Sequence, residues 1–575
     1  MKIQKNIFTE KWALLVILAV VVLAHVTLFQ NQFILEDGFV LHHWKLIQKL
    51  TNLPRFFVNY IPPDSQPGIY APLRTLFLAV SRRVFADLSL GYHVTALMIH
   101  LLGVFTVYRL AILLTDKKSI AVITALLFGL HPVHVAALSG IIAGIETLGF
   151  VFMLLSFYFY VRAKELSGEV FSGDRGKSLL FFALSVLTVE WALILPVVII
   201  FYDTLFRVPK RSFKQVLPSW LMFVVITGLY YASKWLVLGQ WAPGTYVFDR
   251  FDLSLFIGLK ALIKYLWLLI FPLSLAYNHV LSPGISSFNI KDFDKQTVLS
   301  QSILEPQVIL SLLVVLSLCV AAWRQYRRRP VITFALGWVM ILLLPALQIV
   351  PSGMFFNERF LYGAAFGFCL LAGFVVDGVW SCDKRILKTI TPLALLAAVL
   401  FYGGRTFYRH KDYAGPVVFF EKAVRANPQS AYLAGDLGIV YTRAGAFEKA
   451  LQSYEKAIAL KPEDQHFHFS KELTCSMMKR YDDSIASLKK AIELQPDFPE
   501  AYYNLAGLYR FLQRGEEANG NLIMALKLYV NQGRLLEANA ALLQMEQYRN
   551  VQEQVLKHVL DEIPGLKKVI PKSFE

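Results

Sequence analysis

The chain has 575 residues, of which 56% are hydrophobic and 17% are charged, and its mean hydropathy is +0.49. This apolar content exceeds the usual range of soluble domains and predicts several membrane spans. The formal net charge is +16, and most of the basic excess lies in the hydrophobic first 400 residues. In that setting it is typical of cytoplasmic loops and argues against a nucleic-acid partner.

The first segment predicts an uncleaved membrane helix. Lys2, Lys5 and Lys11 precede an apolar run at 12–29. The run is long enough to cross a bilayer, and no small-x-small cleavage pattern follows it. The lysines predict a cytoplasmic N-terminus because basic residues stay on that side.

Further apolar runs predict about 11 crossings in a membrane domain at 1–404. They lie at 93–114, 119–133, 136–161, 178–189, 191–206, 215–238, 307–323, 331–350, 360–378 and 387–403. Basic clusters at 117–118, 207–211, 324–329 and 384–385 should be cytoplasmic. A crossing at 256–273 would put the basic cluster 324–329 outside, so this run is predicted to be an interfacial or re-entrant helix. Lys260 and Lys264 lie one helical turn apart on it, as expected for a helix at the level of the lipid headgroups.

The same crossing pattern predicts two long external loops, at about 31–90 and 239–306. It also places the C-terminal part of the chain outside the cell. Loops of this length are uncommon without a function. The absence of any Asn-x-Ser/Thr sequon favours a prokaryotic source, so the expected location is the inner (plasma) membrane of a prokaryote with the C-terminal domain extracytoplasmic.

Residues 405–575 predict an α-solenoid of tetratricopeptide repeats. Pro428, Pro462 and Pro496 recur at a spacing of 34 residues, the period of this repeat. The repeat at 431–464 carries small and aromatic residues at the helix-packing positions. The next repeat, 465–498, has Lys471 and Glu472 where Leu and Gly are usual. The predicted fold is therefore all-α, with a polytopic bundle followed by the repeats, whose groove could bind peptides or serve a purely structural role.

The acidic pair Glu36 and Asp37 follows the first span on the predicted external side. Adjacent carboxylates at a membrane boundary could act as a general base or bind a metal, or could simply form a solvated loop edge. Arg74 lies on an amphipathic stretch of the same loop, where it could hold an anionic headgroup through two hydrogen bonds.

Three other sites combine polar residues with predicted external turns. His131 and His134 could bind a metal or phosphate, or could cap a helix end. Glu190 lies at another turn. Glu358 and Arg359 could line a site or form an ion pair that ties two helices together. No Gly-rich phosphate loop, Ser-His-Asp set or dinucleotide fingerprint is present, so a sugar carried on a lipid phosphate fits better than a nucleotide sugar.

In this order the motifs resemble those of the transmembrane and tetratricopeptide-repeat O-mannosyltransferases, in the GT-C class of multi-span glycosyltransferases. The resemblance runs through nearly the whole chain. Its parts are Glu36-Asp37, Tyr70-Ala71-Pro72-Leu73, Gly91-Tyr92-His93 up to His100, 127–134 with His131 and His134, Glu190 with Pro196 and Asp203, 271–274 with Tyr277, and 358–362 with Gly367-Phe368.

The resemblance implies transfer of mannose or a similar hexose from a polyprenyl-phosphate carrier to a protein Ser/Thr hydroxyl at the external face. Asp37 or Glu36 would be the base. The implied donor- and lipid-phosphate-binding residues are Arg74, His93, His131, His134, Glu190, Glu358 and Arg359. The implied partners are membrane lipid, the lipid-linked sugar and an acceptor protein that the repeats could bind. The implied co-substrate is the lipid-linked sugar donor, and a divalent metal stays an open alternative.

The chain departs from the family pattern at four charged positions. The family usually has Arg at position 71, Glu at 136, Arg at 144 and Lys at 189, and this chain has Ala71, Ala136, Gly144 and Val189. Arg74 could replace the missing arginine one helical turn along. The lost charges motivate an alternative, a non-catalytic membrane-anchored scaffold for envelope or secretion partners. A lipid-glycan transporter is a third reading, disfavoured by the few charges inside the spans.

Overall fold

The computed structural model describes residues 2–34, 37–58, 68–163, 173–207, 213–242, 244–282, 284–286, 293, 295–352 and 354–546. They form two compact units, Met1–Lys422 and Ala423–Glu575. Helices dominate both units, and a single two-stranded hairpin is present among the described residues. The predicted all-α class is confirmed. The predicted division at 404/405 falls inside an unbroken helix, Arg385–His410.

The first unit contains the helices predicted for the membrane and the two long loops. They are α1 Lys2–Ala24, α2 Asp37–His43, α3 Pro72–Phe85, α4 Ser89–Thr115, α5 Lys118–Leu130, α6 Val135–Ser139, α7 Ile141–Arg162, α8 Gly173–Val186, α9 Leu195–Phe206, α10 Phe213–Leu238 and α11 Phe251–Ile270. After the hairpin β1 Val280–Ser282 and β2 Ile285–Ser286 come α12 Lys295–Leu299, α13 Pro306–Gln325, α14 Pro330–Leu343, α15 Leu361–Trp380 and α16 Arg385–His410. The next helix, α17 Pro416–Ala426, contains the boundary between the units at 422/423.

Eight helices of the described ranges are long and apolar enough to cross a membrane, and nine if a bent pair counts as one span. The pair is Lys118–Leu130 with Pro132–Ser139, bent by 44°. The predicted spans at 178–189 and 191–206 correspond to α8 and α9, which have only 14 and 12 residues. The count of 11 crossings and the orientation therefore stay predictions.

The predicted interfacial segment 256–273 forms α11, a 20-residue helix that itself passes the length and hydropathy criteria for a span. Lys260 is only 4% exposed and pairs with Glu305 at 2.5 Å. A lysine at the headgroup level would keep its ammonium in water. In the structure, the ammonium group of Lys260 is instead buried and paired with the carboxylate of Glu305.

Prolines and small residues set the ends and contacts of the helices around the site. Pro72 begins α3, where its missing N–H costs nothing. Pro132 lies at the bend between α5 and α6, and α7 starts after the extended Gly140. Gly367 allows α15 to approach α14 so closely that a Cβ there would lie 2.7 Å from the carbonyl oxygen of Ala335.

The second unit is a series of antiparallel helix pairs. Its helices are α18 Ala431–Arg443, α19 Phe447–Leu460, α20 Gln465–Met477, α21 Tyr481–Leu494, α22 Pro499–Phe511, α23 Gly515–Asn531 and α24 Leu535–Glu546. Side-chain oxygens of Ser430 and Asp464 cap α18 and α20. In α18, Gly438 has no side chain and Tyr454 of α19 fills the space beside it. This is the packing predicted for a tetratricopeptide repeat.

Candidate active site

The N-terminal end of α7 anchors the predicted base Asp37. This residue begins α2 and is 6% exposed. Its Oδ1 accepts a hydrogen bond from the N–H of Ile141 at 3.1 Å, and its Oδ2 accepts one from the N–H of Ile34 at 3.4 Å. Ile141 is the first residue of α7, so the carboxylate occupies the positive end of the helix dipole. Glu36 lies outside the described residues.

One carboxylate further along α7 binds both predicted phosphate-binding arginines. Glu146 Oε1 accepts a hydrogen bond from Arg74 at 2.6 Å, and its Oε2 lies 3.3 Å from Nη1 of Arg359. The side chains of Arg74, Glu146 and Arg359 are 2%, 8% and 15% exposed. Arg74 comes from α3 and Arg359 from the turn before α15, so three distant parts of the chain meet at Glu146.

The charge of this cluster suits an anion. Two guanidinium groups face one carboxylate, which leaves one formal positive charge in a largely buried place. The Nε of Arg359 has no hydrogen-bond partner among the described residues. Guanidinium groups bind phosphate oxygens through paired hydrogen bonds. A phosphodiester, with its single negative charge, would balance the cluster.

Glu146 is roughly 7 Å along the α7 axis from Ile141, at 1.5 Å of rise per residue. The carboxylate of Asp37 and the basic cluster are thus attached to the same end of one helix. A group that accepts a proton beside a group that neutralises a leaving phosphate is the arrangement that a hydroxyl displacement requires.

A second charged group surrounds Glu190, at the turn between α8 and α9. Its Oε1 accepts hydrogen bonds from Lys234 Nζ and from the Tyr230 hydroxyl, both at 2.7 Å. The backbone N–H of Tyr70 also donates to it at 3.2 Å. Lys234 is fully buried in α10 and Glu190 is 15% exposed. This lysine pairs with the residue that follows Val189, the position where the resembling family usually has Lys.

The two charged groups are neighbours in the fold. Tyr70 precedes α3 by two residues, and α3 carries Arg74. On the other side, the ring of Trp191 stacks on that of Phe360 with centroids 3.7 Å apart. Because Trp191 adjoins Glu190 and Phe360 adjoins Arg359, this contact joins the two groups. The predicted residues Asp37, Arg74, Glu190 and Arg359 are therefore brought to one region.

Glu358 turns away from its neighbour Arg359. Its Oε1 accepts hydrogen bonds from the N–H of Ala276 at 2.6 Å and from His279 Nε2 at 2.7 Å, and its Oε2 lies 3.4 Å from Arg409. Burial lowers the pKa of His279, which favours the neutral imidazole. The two adjacent charges thus bind different partners instead of each other, and Glu358 ties the 271–282 segment to α16.

Buried histidines form a separate network in the bundle. His25 Nδ1 lies 2.8 Å from His410 Nε2, and the Nε2 atoms of His25 and His100 both lie 3.1 Å from the carbonyl oxygen of Gly129. The Tyr362 hydroxyl lies 3.0 Å from His100 Nδ1. A carbonyl oxygen only accepts, so His25 and His100 donate through Nε2 and accept through Nδ1. The network joins α4, α5, α15 and α16 to the end of α1.

The remaining predicted histidines lie within the bundle. His131 is fully buried, its Nε2 donates to the carbonyl oxygen of Leu269 at 2.9 Å, and its Nδ1 accepts from the N–H of Val133. His134 packs against the rings of Phe128 and Tyr362. His93 is 1% exposed on α4. Among the described residues, the hydrogen bonds and ring contacts of these three histidines are with residues other than Arg74, Glu146 and Arg359.

Within the described ranges, no group of three or more His, Cys, Asp or Glu side chains is placed to hold a metal ion. The two nitrogens of His131 are both engaged, so that residue offers no lone pair to a cation in this conformation. A divalent metal stays an open alternative, and Glu36, one of its candidate ligands, lies outside the described residues.

Glu146, Lys234 and Tyr230 are residues of the candidate site that the sequence analysis missed. Glu146 and Lys234 each lie inside a long apolar run, and a charge in such a run is a signal of function. That signal could have found both. Their partners could not have been named, because pairing with Arg74, Arg359 and Glu190 depends on helix contacts far apart in sequence.

Comparisons with known proteins found similarity both to the repeat part of the chain and to the chain as a whole. Family models described as "Tetratricopeptide repeat" and "TPR repeat" match residues 419–465 and 478–510. "Protein O-mannosyl-transferase TMTC3" of Mus musculus is 24% identical over 467 residues, covering 74% of this chain and 46% of the mouse protein. The predicted resemblance is confirmed. The Drosophila melanogaster Tmtc3 protein is also 24% identical, covering 66% of this chain and 47% of its own length.

The chain thus spans about half the length of these curated relatives. Among solved structures, the apo oligosaccharyltransferase of Archaeoglobus fulgidus is 12% identical, covering 74% of this chain and 60% of its own, with a TM-score of 0.44. Similarity at that level establishes neither a common fold nor a common activity.

Proposed function

We propose that this chain is a membrane glycosyltransferase that moves mannose or a similar hexose from a polyprenyl-phosphate carrier to a Ser/Thr hydroxyl of a protein. The observation that carries the proposal is the attachment of Asp37 and the Arg74–Glu146–Arg359 cluster to the same end of α7. The similarity to protein O-mannosyl-transferases over most of the chain supports it.

In the proposed reaction Asp37 takes the proton of the acceptor hydroxyl. The hydroxyl oxygen forms a bond to the anomeric carbon of the sugar while the bond from that carbon to the phosphate oxygen breaks. The leaving group is the polyprenyl phosphate, and Arg74 and Arg359 stabilise the negative charge that develops on it. Attack opposite the leaving group inverts the anomeric configuration.

The other polar residues would define the sugar site. Glu190, held by Lys234 and Tyr230, is the group best placed to accept hydrogen bonds from sugar hydroxyls beside the basic cluster. His93, His131 and His134 would act as walls of the bundle behind the site. The repeats would bind the acceptor protein. A prokaryotic inner membrane with the site and the repeats outside belongs to the same proposal.

The test is sugar transfer in membranes that contain the wild type or a variant at equal expression. Radiolabelled sugars on polyprenyl phosphate are the donors, and label bound to protein is measured. Asp37→Asn removes the proton acceptor and should lower transfer by about 100-fold or more. Glu36→Gln, measured in parallel, assigns the role within the acidic pair.

Asp87→Asn is the matched control because Asp87 belongs to the same predicted loop and its side chain is 75% exposed. Its transfer rate should equal that of the wild type. Equal labelling in the wild type and in the combined Glu36→Gln and Asp37→Asn variant would contradict the proposal. Absence of labelling with every donor would instead favour the scaffold alternative, which the changes at Ala71, Ala136, Gly144 and Val189 motivate.

A further inference from the structure

The repeat unit contains a groove cavity of about 630 Å³. Its apolar wall includes Phe469, Leu473 and Phe511, and the last two are 55% and 65% exposed. Large exposed apolar side chains around a concave surface are typical of a binding site. The cavity is large enough for one or two side chains of a peptide.

Glu472 contributes the one carboxylate among the cavity-lining residues. It lies on α20 and is 7% exposed. Its Oε2 accepts a hydrogen bond from Asn504 at 3.2 Å and its Oε1 one from Ser484 at 3.5 Å. Both donors are neutral, and no Lys or Arg of the described residues forms an ion pair with Glu472. Burying an ionised carboxylate costs free energy unless a positively charged group pairs with it.

The repeats on either side show that this carboxylate is not part of the ordinary packing. One period of 34 residues earlier the same position is Gly438, and one period later it is Ala506. Both fit the close contact between the two helices of a repeat. The middle repeat therefore has a charged side chain, Glu472, at a position where the neighbouring repeats have a small residue.

One further position differs together with Glu472 from both neighbouring repeats. Ser484, which donates to the carboxylate, replaces the alanines found one period away, Ala450 and Ala518. The middle repeat thus supplies a hydrogen-bond donor for the carboxylate where both neighbouring repeats have alanine.

We infer that this groove binds an extended peptide segment and that Glu472 pairs with a lysine or arginine side chain of that peptide. The apolar stem of such a side chain would pack on Phe469, Leu473 and Phe511 while its cationic end reaches Glu472. Arg443, the other charged residue of the lining, is exposed. The inference is independent of the sugar-transfer reaction, because it concerns binding to the repeats alone.

The test uses the full-length chain in nanodiscs and four fluorescent nine-residue peptides with neutral ends. The peptides are identical except for the central residue, which is lysine, arginine, norleucine or glutamate. Fluorescence anisotropy gives each dissociation constant. A hydrogen-bonded charge pair predicts that the lysine and arginine peptides bind about tenfold or more tightly than the norleucine peptide.

Glu472→Gln keeps the size of the side chain and an oxygen for Asn504, but removes the charge. It should abolish the preference for lysine and leave the affinity for the norleucine peptide unchanged. Glu455→Gln is the control, since Glu455 is 64% exposed and pairs with Lys471 on the adjacent helix surface. This variant should keep the full preference.

Acid should weaken the preference in the wild type. Burial raises the pKa of Glu472 above the ordinary value of 4.5, so the charged form is lost at a higher pH than for an exposed glutamate. Equal affinity for the lysine and norleucine peptides at neutral pH would overturn the inference, as would a preference that survives Glu472→Gln. Binding of free lysine amide as tightly as the lysine peptide would also overturn it, because the site would then take a small amine.

Discussion

At the scale of single residues, Glu146 decides the charge of the candidate site. It is a carboxylate in an apolar helix, and it pairs with Arg74 from the first loop and Arg359 from a segment more than 200 positions later in the sequence. Taking such charges out of water is costly, and the cost is recovered only when each charge has a partner. Removal of this one carboxylate would leave two buried arginines facing each other.

Glu146→Gln should therefore destabilise the protein by about 3–5 kcal/mol, the usual cost of breaking a buried ion pair. Thermal unfolding in nanodiscs measures the change. Asp252→Asn is the comparison, because Asp252 and Arg250 form a pair whose side chains are 46% and 50% exposed, and this substitution should leave the thermal unfolding nearly unchanged. Equal effects of the two substitutions would refute the structural role of Glu146.

Residue identity alone predicted part of this site. Asp37, Glu190 and Arg359 were each expected from a charge beside a predicted span. Arg74 was expected from an amphipathic stretch of the first loop, and the structure brings all four to one region. Glu358 was expected to take part as well, yet it binds His279 and Arg409 instead. Adjacent residues in a turn can point to different helices, and the sequence does not reveal which.

At the scale of elements, the closeness of paired helices depends on small residues at fixed positions. A Cβ on Gly438 in α18 would lie 2.6 Å from the Tyr454 ring, whereas one on Gly507 in α22 would meet nothing within 4 Å. Both glycines lie inside helices of similar length. The repeat period predicted the first contact, because glycine and tyrosine fall at the helix-packing positions of the repeat.

Gly438→Ala should weaken its helix pair by about 1–3 kcal/mol because the added methyl overpacks the contact. Gly507→Ala should stabilise its helix by roughly 0.5–1 kcal/mol, the ordinary gain of alanine over glycine inside a helix. Hydrogen exchange of the amides in 431–443 and 499–511, measured in the full-length chain, reports each local stability. Changes of the same sign in the two helices would show that the packing contact is not responsible.

Membrane crossings are the element-level feature that the sequence predicted least fully. The long helices α4, α7 and α15 follow the predicted runs closely. The short helices α8 and α9 do not reach across a bilayer by length, and α11 does. Hydropathy identifies apolar runs but not where a turn interrupts them, since the turn depends on the neighbouring helices.

At the scale of the whole molecule, the charge pattern predicts which surfaces share a side of the membrane. Asp87 in the first loop and Gln452 in the repeats should lie outside, and Arg328 in the basic loop should lie inside. All three are exposed. Single cysteines at these positions, in a chain with its four native cysteines replaced, can be labelled on intact cells with an impermeant maleimide. Asp87→Cys and Gln452→Cys should react and Arg328→Cys should not. Labelling of Arg328→Cys alone would show that the orientation is the opposite of the predicted one.

The measurement that tests the central claim most directly is transfer by the purified full-length chain in nanodiscs. Polyprenyl-phosphate mannose and polyprenyl-phosphate glucose are supplied as donors together with membrane-extract proteins as acceptors. Protein-bound hexose and released polyprenyl phosphate are quantified by mass spectrometry. The account predicts equal amounts of the two products in the wild type and at least about 100-fold less of both in Asp37→Asn. Unchanged transfer in Asp37→Asn, or no protein-bound hexose from the wild type with either donor, would contradict it.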